Sequence, residues 1–499
     1  MPHQMAMPSL RVRMAPSPTG PLHIGTARTS LYNFLVARHA GGTYVLRIED
    51  TDTARGSVEH ERDIIDNLHW LGITWDEGPQ VAGGDDIGPY APYRQSQRME
   101  LYAREADRLL ADGHAYRCWC TPEELEAVRR EQEARKEPPR YNRRCLHLTD
   151  AERAAFEGEG RRPAIRLNVP AEVIGFDDLI RGDVEFDNAL LGDFVIVRAN
   201  GVPLYHFVVV VDDEAMEISH VIRGEDHLSN TPKHIALIRA LGYREPRFGH
   251  IPLILNPDRS KMSKRKSQTD ITSYRRQGYL PEALVNFLAF LGWSPGTEEE
   301  VFSLDELVER FDIERVHKAG AIFDRGRLDH LNGVYIRRLS DEQVALRLRP
   351  FVPEEVVDED LLRLVPLVKE RLVRLGDVDE LAGFLWQTDE LVAGWYEADA
   401  LVPLRLGVDE AARAMRAARG TLAGLTDADF SAEVLEERCR ATAERLGMRA
   451  GDFFTPLRVA VTGRPVSPPL FASIELLGRD RTLARVDLAL ARLAVRSGA

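Results

Sequence analysis

Long hydrophobic runs are missing from this 499-residue sequence, and no apolar stretch approaches the ~20 residues that a membrane-spanning helix needs. The first ten residues also lack the basic and apolar regions of an export signal and the Arg- and Ser-rich pattern of an organelle signal. These absences predict a cytoplasmic protein without membrane contact. The composition that remains, 44% apolar and 29% charged, is typical of a globular protein with about three to five domains.

Positive charge is in short supply, with 65 lysines and arginines against 79 acidic residues and a net charge of -14. This balance argues against indiscriminate nucleic-acid binding, because phosphate contacts require positive potential. Basic clusters are nevertheless present at 140–144, 261–266, 275–276 and 337–338. Each cluster alone is typical of a solvated face, but together they fit a nucleic-acid partner that docks in one defined orientation.

Cysteine is also scarce, and three of the four cysteines are clustered. Cys118 and Cys120 form a Cys-x-Cys pair, Cys145 stands two residues before His147, and Cys439 is isolated. In a cytosolic protein this pattern indicates a metal before a disulfide. Three thiolates and an imidazole make a tetrahedral set suited to zinc, and four protein ligands predict one structural ion per chain. The alternative is three buried, inert thiols beside a surface histidine.

A glycine-containing motif, Pro-Thr-Gly-Pro-Leu-His-Ile-Gly-Thr, lies near the N-terminus. Leu10–Met14 predicts a strand before it and Ala27–Arg38 predicts a helix after it, so the motif forms a strand-to-helix turn. A helix N-terminus binds phosphate through its N–H groups and its dipole, and Gly20 and Gly25 allow a ligand close to the backbone. His23 adds a donor for charge that develops on an α-phosphate.

A second motif, Lys-Met-Ser-Lys-Arg-Lys, occupies 261–266 and is predicted to form a loop. Lys261 and Lys264 would neutralise the pyrophosphate that leaves in a displacement at phosphorus, and Ser263 offers a further hydroxyl. Taken singly, the first motif is typical of an ordinary turn and the second of a solvated surface.

In this combination and order, the two motifs closely resemble the two signatures of class I aminoacyl-tRNA synthetases. Further runs narrow the resemblance to the bacterial-type glutamyl-tRNA synthetases, over the chain from about residue 11 to the end. Thr26 stands where many members of the class have a second histidine, a departure that is common in the glutamyl branch. The runs that carry the narrower resemblance are Arg13–Gly20, Arg47–Asp52, Tyr205, Val209–Asp213 and Val221–Asp226.

The resemblance implies an α/β fold, in which a Rossmann-like class I catalytic domain with an α+β insertion is followed by an all-helical anticodon-binding half. It implies a catalytic domain at 1–94 and 203–258, and an acceptor-end-binding insertion with the zinc site at 95–202. The Lys-rich loop and a stem-contact domain follow at 259–338, and a helical region of two subdomains at 339–499. Some family members carry zinc in this insertion with the same ligand spacing.

The implied reaction has two steps. The glutamate carboxylate attacks the α-phosphate of ATP to give glutamyl-adenylate, and a ribose hydroxyl of the terminal tRNA adenosine then takes the acyl group. ATP would bring Mg²⁺ as a counter-charge. The partners would be L-glutamate and tRNA(Glu), and tRNA(Gln) stays open as a second acceptor. A monomer is expected. The implied catalytic residues are His23, Lys261 and Lys264. The implied ATP contacts are Gly20, His23, Gly25, Thr26, Lys261, Ser263 and Lys264.

Amino-acid recognition needs a cation for the side-chain carboxylate and an anion for the ammonium. From residue type alone, Arg13 and Arg223 are forks suited to a carboxylate, and Glu49 ends a predicted strand where it reaches an ammonium. A structural salt bridge is the alternative reading of such an Arg–Glu pair. The resemblance favours recognition and places the side-chain carboxylate on Arg223. It assigns amino-acid contacts to Arg13, Ser17, Glu49, Tyr205 and Arg223.

Hydrophobic periodicity predicts the remaining elements, with mainly helices after Leu280. The four consecutive valines in Phe207–Val211 are typical of a buried parallel strand. The other predicted strands are Tyr44–Ile48, Ala164–Val169, Phe194–Arg198, Val221–Ile222 and Ile251–Leu255, and the predicted helices are Glu59–Leu71, Arg98–Asp112, Glu123–Glu137 and Pro232–Leu241.

Two other functions are compatible with parts of the sequence. A nucleotidyltransferase acting on a small molecule would use the same ATP motifs, but it does not need the helical half. A noncatalytic RNA-binding paralogue would be free to lose His23, Lys261 and Lys264, which are all present. Glutaminyl-tRNA synthetases share much of the catalytic domain, but their anticodon domains are mainly β-barrels, which the helical pattern disfavours.

Overall fold

The structure, a computed structural model, describes residues 10–51, 56–188, 191–262 and 268–497. The chain forms two compact units. The first comprises the residues up to Ser273 together with Pro281–Arg325, and the second comprises Tyr274–Leu280 and the residues from Gly326 onward. The four-part division expected from the sequence is finer than these two units and stays a prediction.

Strands are confined to the first unit within the described residues. They are β1 Arg11–Met14, β2 Thr43–Leu46, β3 Gly78–Pro79, β4 Asp86–Ile87, β5 Ala115–Cys118, β6 Ala164–Leu167, β7 Val173–Asp178, β8 Gly182–Asp187, β9 Val195–Val197, β10 His220–Gly224, β11 Arg247–Ile251, β12 Ile254–Leu255 and β13 Ala321–Ile322.

Helices occur along the whole chain. They are α1 Ile24–His39, α2 Val58–Trp70, α3 Met99–Ala111, α4 Pro122–Ala134, α5 Asp150–Gly158, α6 Tyr205–Ala215, α7 Thr231–Ala240, α8 Ile271–Arg276, α9 Pro281–Ala289, α10 Leu304–Arg310, α11 Arg325–Arg338, α12 Asp341–Leu348, α13 Asp358–Val368, α14 Val378–Ala382, α15 Asp389–Ala393, α16 Val408–Ala423, α17 Ala432–Arg445, α18 Ala450–Thr462, α19 Leu470–Leu477 and α20 Arg479–Ser497. None of these helices is both long enough and apolar enough to span a bilayer.

A six-stranded sheet with the order β2-β1-β10-β11-β7-β8 forms the centre of the first unit. The first five strands run parallel, and β8 closes the edge as the antiparallel partner of β7. Because β1 lies between β2 and β10, the chain reverses its winding there, and ligands of open α/β sheets bind at such a point. The segment predicted as an insertion also contains a separate antiparallel sheet, β5-β6-β9.

Most predicted elements of the first unit are confirmed, but the strand predicted at Phe207–Val211 is wrong, because these residues lie inside helix α6. Phe207 and the four valines are at most 3% exposed and belong to one hydrophobic core with β10 and α7 residues. A helix that is buried on all sides has no polar stripe, so its sequence lacks helical periodicity. Burial of the branched side chains then outweighs their preference for strands.

The second unit is helical throughout its described residues, as predicted. Apolar faces of α16 to α20 pack around one core that includes Met415, Leu457 and Ile474. Arg485 of α20 is fully buried and donates to Asp389 at 2.7 Å and to the Phe384 carbonyl at 2.7 Å. A buried guanidinium with a carboxylate and carbonyl acceptors fixes how α15 and α20 pack together.

Candidate active site

A cleft of about 1040 Å³ opens in the first unit beside the carboxyl ends of the parallel strands. The residues that follow β1 and β2, the end of β10 and the residues after β11 all contribute to its wall. The predicted site residues that line it are Arg13, Ser17, Gly20, His23, Gly25, Thr26, Glu49, Tyr205, Arg223 and Lys261. Ser263 and Lys264 lie outside the described residues.

His23 caps the N-terminus of α1, where the phosphate-binding turn was predicted. Its Nδ1 accepts the Gly25 N–H at 3.0 Å, and the Ile24 N–H donates to the Thr269 carbonyl at 2.7 Å. The Gly25 N–H was expected to contact phosphate, but in this structure it donates to the His23 side chain. Because Nδ1 is the acceptor, the neutral ring carries its proton on Nε2, which makes Nε2 a hydrogen-bond donor.

Glu49 and Arg13 belong to one buried ion network whose centre is Asp213. Arg13 donates to both Asp213 oxygens at 3.0 and 3.3 Å, and Arg47 donates to Asp213 at 2.8 Å. Arg47 also reaches Glu49 at 3.4 Å. Burial is the largest effect on Glu49 and raises its pKa to about 7, against the opposing pull of Arg47 and Arg13. An incoming ammonium group would favour the carboxylate form of Glu49.

Arg223 is the penultimate residue of β10 and is 6% exposed. Its donors reach Nε2 of His250 at 3.3 Å, Nδ1 of His234 at 3.1 Å and the hydroxyl of Thr231 at 2.9 Å. No carboxylate of the described residues lies within ion-pair distance of this guanidinium. Burial lowers the pKa of Arg223, so a ligand carboxylate in the cleft would offer it the counter-charge that the described protein lacks.

Tyr205 and Lys261 both line the cleft. The Tyr205 hydroxyl is 3.1 Å from Nδ1 of His227, and burial raises the pKa of this phenol to about 12, so it stays protonated. Lys261 is 58% exposed along its side chain, and its Nζ is 3.5 Å from a carboxylate oxygen of Asp226. An exposed ion pair of this kind is weak, so the lysine can exchange Asp226 for a phosphate.

The three clustered cysteines come together, as predicted. Their Sγ atoms all lie within 4.8 Å of one another, with Cys118 and Cys145 buried and Cys120 half-buried. His147 is exposed and is not part of this group. The Tyr141 hydroxyl instead lies 3.5 Å from the Sγ atoms of both Cys118 and Cys120. The donor set is soft and compact, which fits zinc.

Sequence reasoning missed a group of histidines behind Arg223. His206 and His234 come from α6 and α7, His227 from the turn before α7, and His250 from β11. Burial lowers the pKa of His206 and of His227 to about 4, and it lowers the pKa of His234 and of His250 as well. They have no common spacing in the sequence, so only the packing of these four segments near Arg223 reveals them.

The fold and the cleft define a class I tRNA synthetase. The family model for the class I (E and Q) tRNA synthetase catalytic domain matches residues 9–330, and the model for an anticodon binding domain matches residues 343–490. Glutamate–tRNA ligases of Moorella thermoacetica and Acidothermus cellulolyticus are 46% and 48% identical to this chain. Both alignments cover 97% of this chain, and they cover 98% and 96% of those proteins, respectively.

The crystal structure of a glutamate tRNA ligase from Elizabethkingia meningosepticum in complex with its amino acid is similar as well. It is 36% identical, has a TM-score of 0.82, and aligns over 97% of this chain and 100% of that chain. The chain therefore belongs to the glutamate–tRNA ligase family of class I aminoacyl-tRNA synthetases. The predicted fold class and enzyme class are thereby confirmed, and nothing in these matches supports a small-molecule nucleotidyltransferase.

Proposed function

We propose that this chain activates L-glutamate with ATP and transfers the glutamyl group to the 3′-terminal adenosine of tRNA(Glu), releasing AMP and diphosphate. The observation that carries the proposal is the buried Arg223 guanidinium on the wall of the cleft, with no carboxylate partner among the described residues. Such a group selects an amino acid that brings a side-chain carboxylate. A cytoplasmic location and a monomeric state belong to the same proposal.

Five residues of the cleft would hold the amino acid. Arg223 would bind the side-chain carboxylate, and Glu49 would bind the α-ammonium. Tyr205 and Ser17 would contact the rest of the amino acid, and Arg13, held by Asp213, would add positive potential for the reacting carboxylate. This arrangement would leave the α-carboxylate facing the turn that begins α1, which is where an α-phosphate would bind.

The chemistry would then rest on positioning and charge, because no residue is required as a covalent nucleophile. The glutamate carboxylate attacks the α-phosphate, and the bond to the departing pyrophosphate breaks. His23 would donate from Nε2 to an α-phosphate oxygen as negative charge develops, with Gly20, Gly25 and Thr26 framing the triphosphate. Lys261, Lys264 and Ser263 would stabilise the leaving pyrophosphate. Mg²⁺ would accompany the triphosphate as a counter-charge.

The second unit would bind the anticodon arm, consistent with the anticodon binding domain that matches residues 343–490. Arg371 is exposed and donates to the Ser467 carbonyl at 2.5 Å, while Arg374 is held by Asp377 at 3.1 Å. Both lie in the region where we expect discrimination between tRNA(Glu) and tRNA(Gln).

Aminoacylation with labelled glutamate, ATP and purified tRNA(Glu) or tRNA(Gln) tests the function directly. We expect charging of tRNA(Glu), with little pyrophosphate exchange when tRNA is omitted. Charging of both tRNAs would add tRNA(Gln) as a second substrate, and charging of tRNA(Glu) alone would define a discriminating enzyme. If neither tRNA is charged, the proposed function is wrong.

We further propose that Cys118, Cys120 and Cys145 bind a zinc ion with a structural role. The purified protein should contain one zinc per chain by elemental analysis, and Cys118→Ser should lose it, because a thiolate ligand is removed. Affinity for the acceptor end of the tRNA should fall with the metal. Retention of stoichiometric zinc in Cys118→Ser would exclude this ligand set.

The fourth ligand is tested by a pair of variants. His147 was predicted from spacing, whereas Tyr141 has its hydroxyl beside two of the sulfur atoms. If His147 moves in when the ion binds, His147→Ala loses zinc and Tyr141→Phe keeps it. The reverse result would assign the fourth position to the phenolic oxygen.

A further inference from the structure

The surroundings of Arg223 differ from those of Arg13 and Arg47. Arg13 and Arg47 both pair with the Asp213 carboxylate. Arg223 instead donates to His250, His234 and Thr231, which are acceptors without formal charge when the imidazoles are neutral. Arg28, another buried arginine of the cleft wall, also donates to uncharged acceptors, the Leu291 and Pro252 carbonyls. Burying a cation among uncharged acceptors is costly, so this arrangement calls for a functional explanation.

Asp178 fixes the proton position on the first histidine. Nδ1 of His250 is 2.5 Å from a carboxylate oxygen of Asp178, and both side chains are fully buried. Because a carboxylate only accepts, the ring proton must lie on Nδ1. The other nitrogen, Nε2, is therefore an acceptor, and it lies 3.3 Å from Nε of Arg223 and 3.0 Å from the hydroxyl of Thr231. Asp178 thus acts on Arg223 through an imidazole and does not neutralise it by direct contact.

His234 carries its ring proton on the other nitrogen, Nε2, and accepts through Nδ1. Nδ1 of His234 accepts from Arg223 at 3.1 Å, so its proton lies on Nε2. That Nε2 is 3.1 Å from Nδ1 of His206, which completes a chain of donors from Arg223 through His234 to His206. Burial and the nearby Arg223 lower the pKa of His234 well below its usual value, which keeps this ring neutral near pH 7.

We propose that His234 and His250 are positioning residues for amino-acid selection, because they hold the Arg223 guanidinium as neutral acceptors and leave its charge for the side-chain carboxylate of the substrate. The inference deepens the proposed function and rests on it. A carboxylate at either position would orient Arg223 equally well but would also satisfy its charge. The site would then bind glutamate weakly and would no longer prefer glutamate over glutamine, whose side chain is neutral.

Two substitutions of His234 separate charge from packing. His234→Asn supplies a neutral oxygen near the position of Nδ1, and His234→Asp supplies a charged oxygen of the same size. Both leave the same space in the core, so the cavity contributes equally to each variant. We expect the glutamate KM of His234→Asp to exceed that of His234→Asn by about 100-fold, the scale of a lost charge-assisted contact. The KM for ATP should be the same in both.

The measurement is aminoacylation of tRNA(Glu) with glutamate and ATP titrated separately, together with pyrophosphate exchange driven by glutamine in the presence of tRNA. The preference for glutamate over glutamine should fall in His234→Asp and persist in His234→Asn. Equal glutamate KM values in the two variants would overturn the inference, since a purely structural role depends only on packing. Wild-type protein that charges no tRNA(Glu) would instead overturn the proposed function.

A second measurement covers the case in which His234→Asp does not fold. Long-range ¹H–¹⁵N spectra of the wild-type protein labelled in histidine report the protonation of each ring at pH 7. We expect His234 as the neutral Nε2–H form and His250 as the neutral Nδ1–H form, assigned by loss of each signal in His234→Asn and His250→Gln. A doubly protonated ring at either position would contradict the inference, because a cation cannot accept from Arg223.

Discussion

Arg223→Ala should raise the glutamate KM by roughly 100-fold or more while the KM for ATP stays nearly constant, since removing one partner of a buried charge contact has effects on this scale. The guanidinium is 6% exposed and is held on the cleft wall by His234, His250 and Thr231. A substrate carboxylate bound there without Arg223 would be desolvated and unpaired, which is more costly than losing an ordinary hydrogen bond. Aminoacylation with glutamate titrated at saturating ATP measures the change.

Two control variants sharpen this prediction. Arg247→Ala removes an exposed arginine at the start of the neighbouring strand β11, outside the cleft lining, and should leave the glutamate KM unchanged. Arg223→Lys keeps a positive charge but loses the planar fork, so its glutamate KM should lie between those of the wild type and Arg223→Ala. An unchanged glutamate KM in Arg223→Ala would move the carboxylate contact to another residue.

The elements around the first motif were predictable because local signals agree there. An apolar run, a glycine-containing turn and a helical pattern follow one another within about 30 residues, the size of a single βαβ-type unit. The structure has β1 at Arg11–Met14 and α1 at Ile24–His39. From residue type alone, Arg13 and Arg223 were equally good candidates for binding the side-chain carboxylate. The resemblance to the glutamyl-tRNA synthetases then favoured Arg223.

What the sequence could not reveal depends on contacts between distant segments. The valine run of α6 is buried on all sides, so its pattern contains no periodicity that distinguishes a helix from a strand. The Gly25 N–H was expected to donate to a phosphate, but it donates to Nδ1 of the His23 side chain instead. The histidines around Arg223 are separated by up to 44 positions in the chain, from His206 to His250, and become neighbours only when α6, α7 and β11 pack together.

Asp213→Ala should lower the free energy of unfolding of the first unit by about 3–5 kcal/mol, the usual effect of removing one partner from a buried ion network. Asp213 is 9% exposed and accepts from Arg13 at 3.0 Å and from Arg47 at 2.8 Å, so its loss leaves two desolvated guanidinium groups with too few carboxylates. Urea unfolding at pH 7 measures the change. Glu214→Ala, an exposed position on the same helix, should shift stability by less than about 0.5 kcal/mol.

The pH dependence of the same variant separates charge from packing. Burial alone would raise the pKa of Asp213, but Arg13 and Arg47 outweigh it and the pKa lies below the usual aspartate value. A carboxylate whose pKa is lower in the folded state stabilises the protein at neutral pH, and that contribution is lost as the pH falls through the folded-state pKa. The stability difference between wild type and Asp213→Ala should therefore be full at pH 7 and shrink only in acid. A difference that is independent of pH down to acid unfolding would mean that Asp213 stabilises the cleft through packing, and that its charge does not hold Arg13 in place for the substrate.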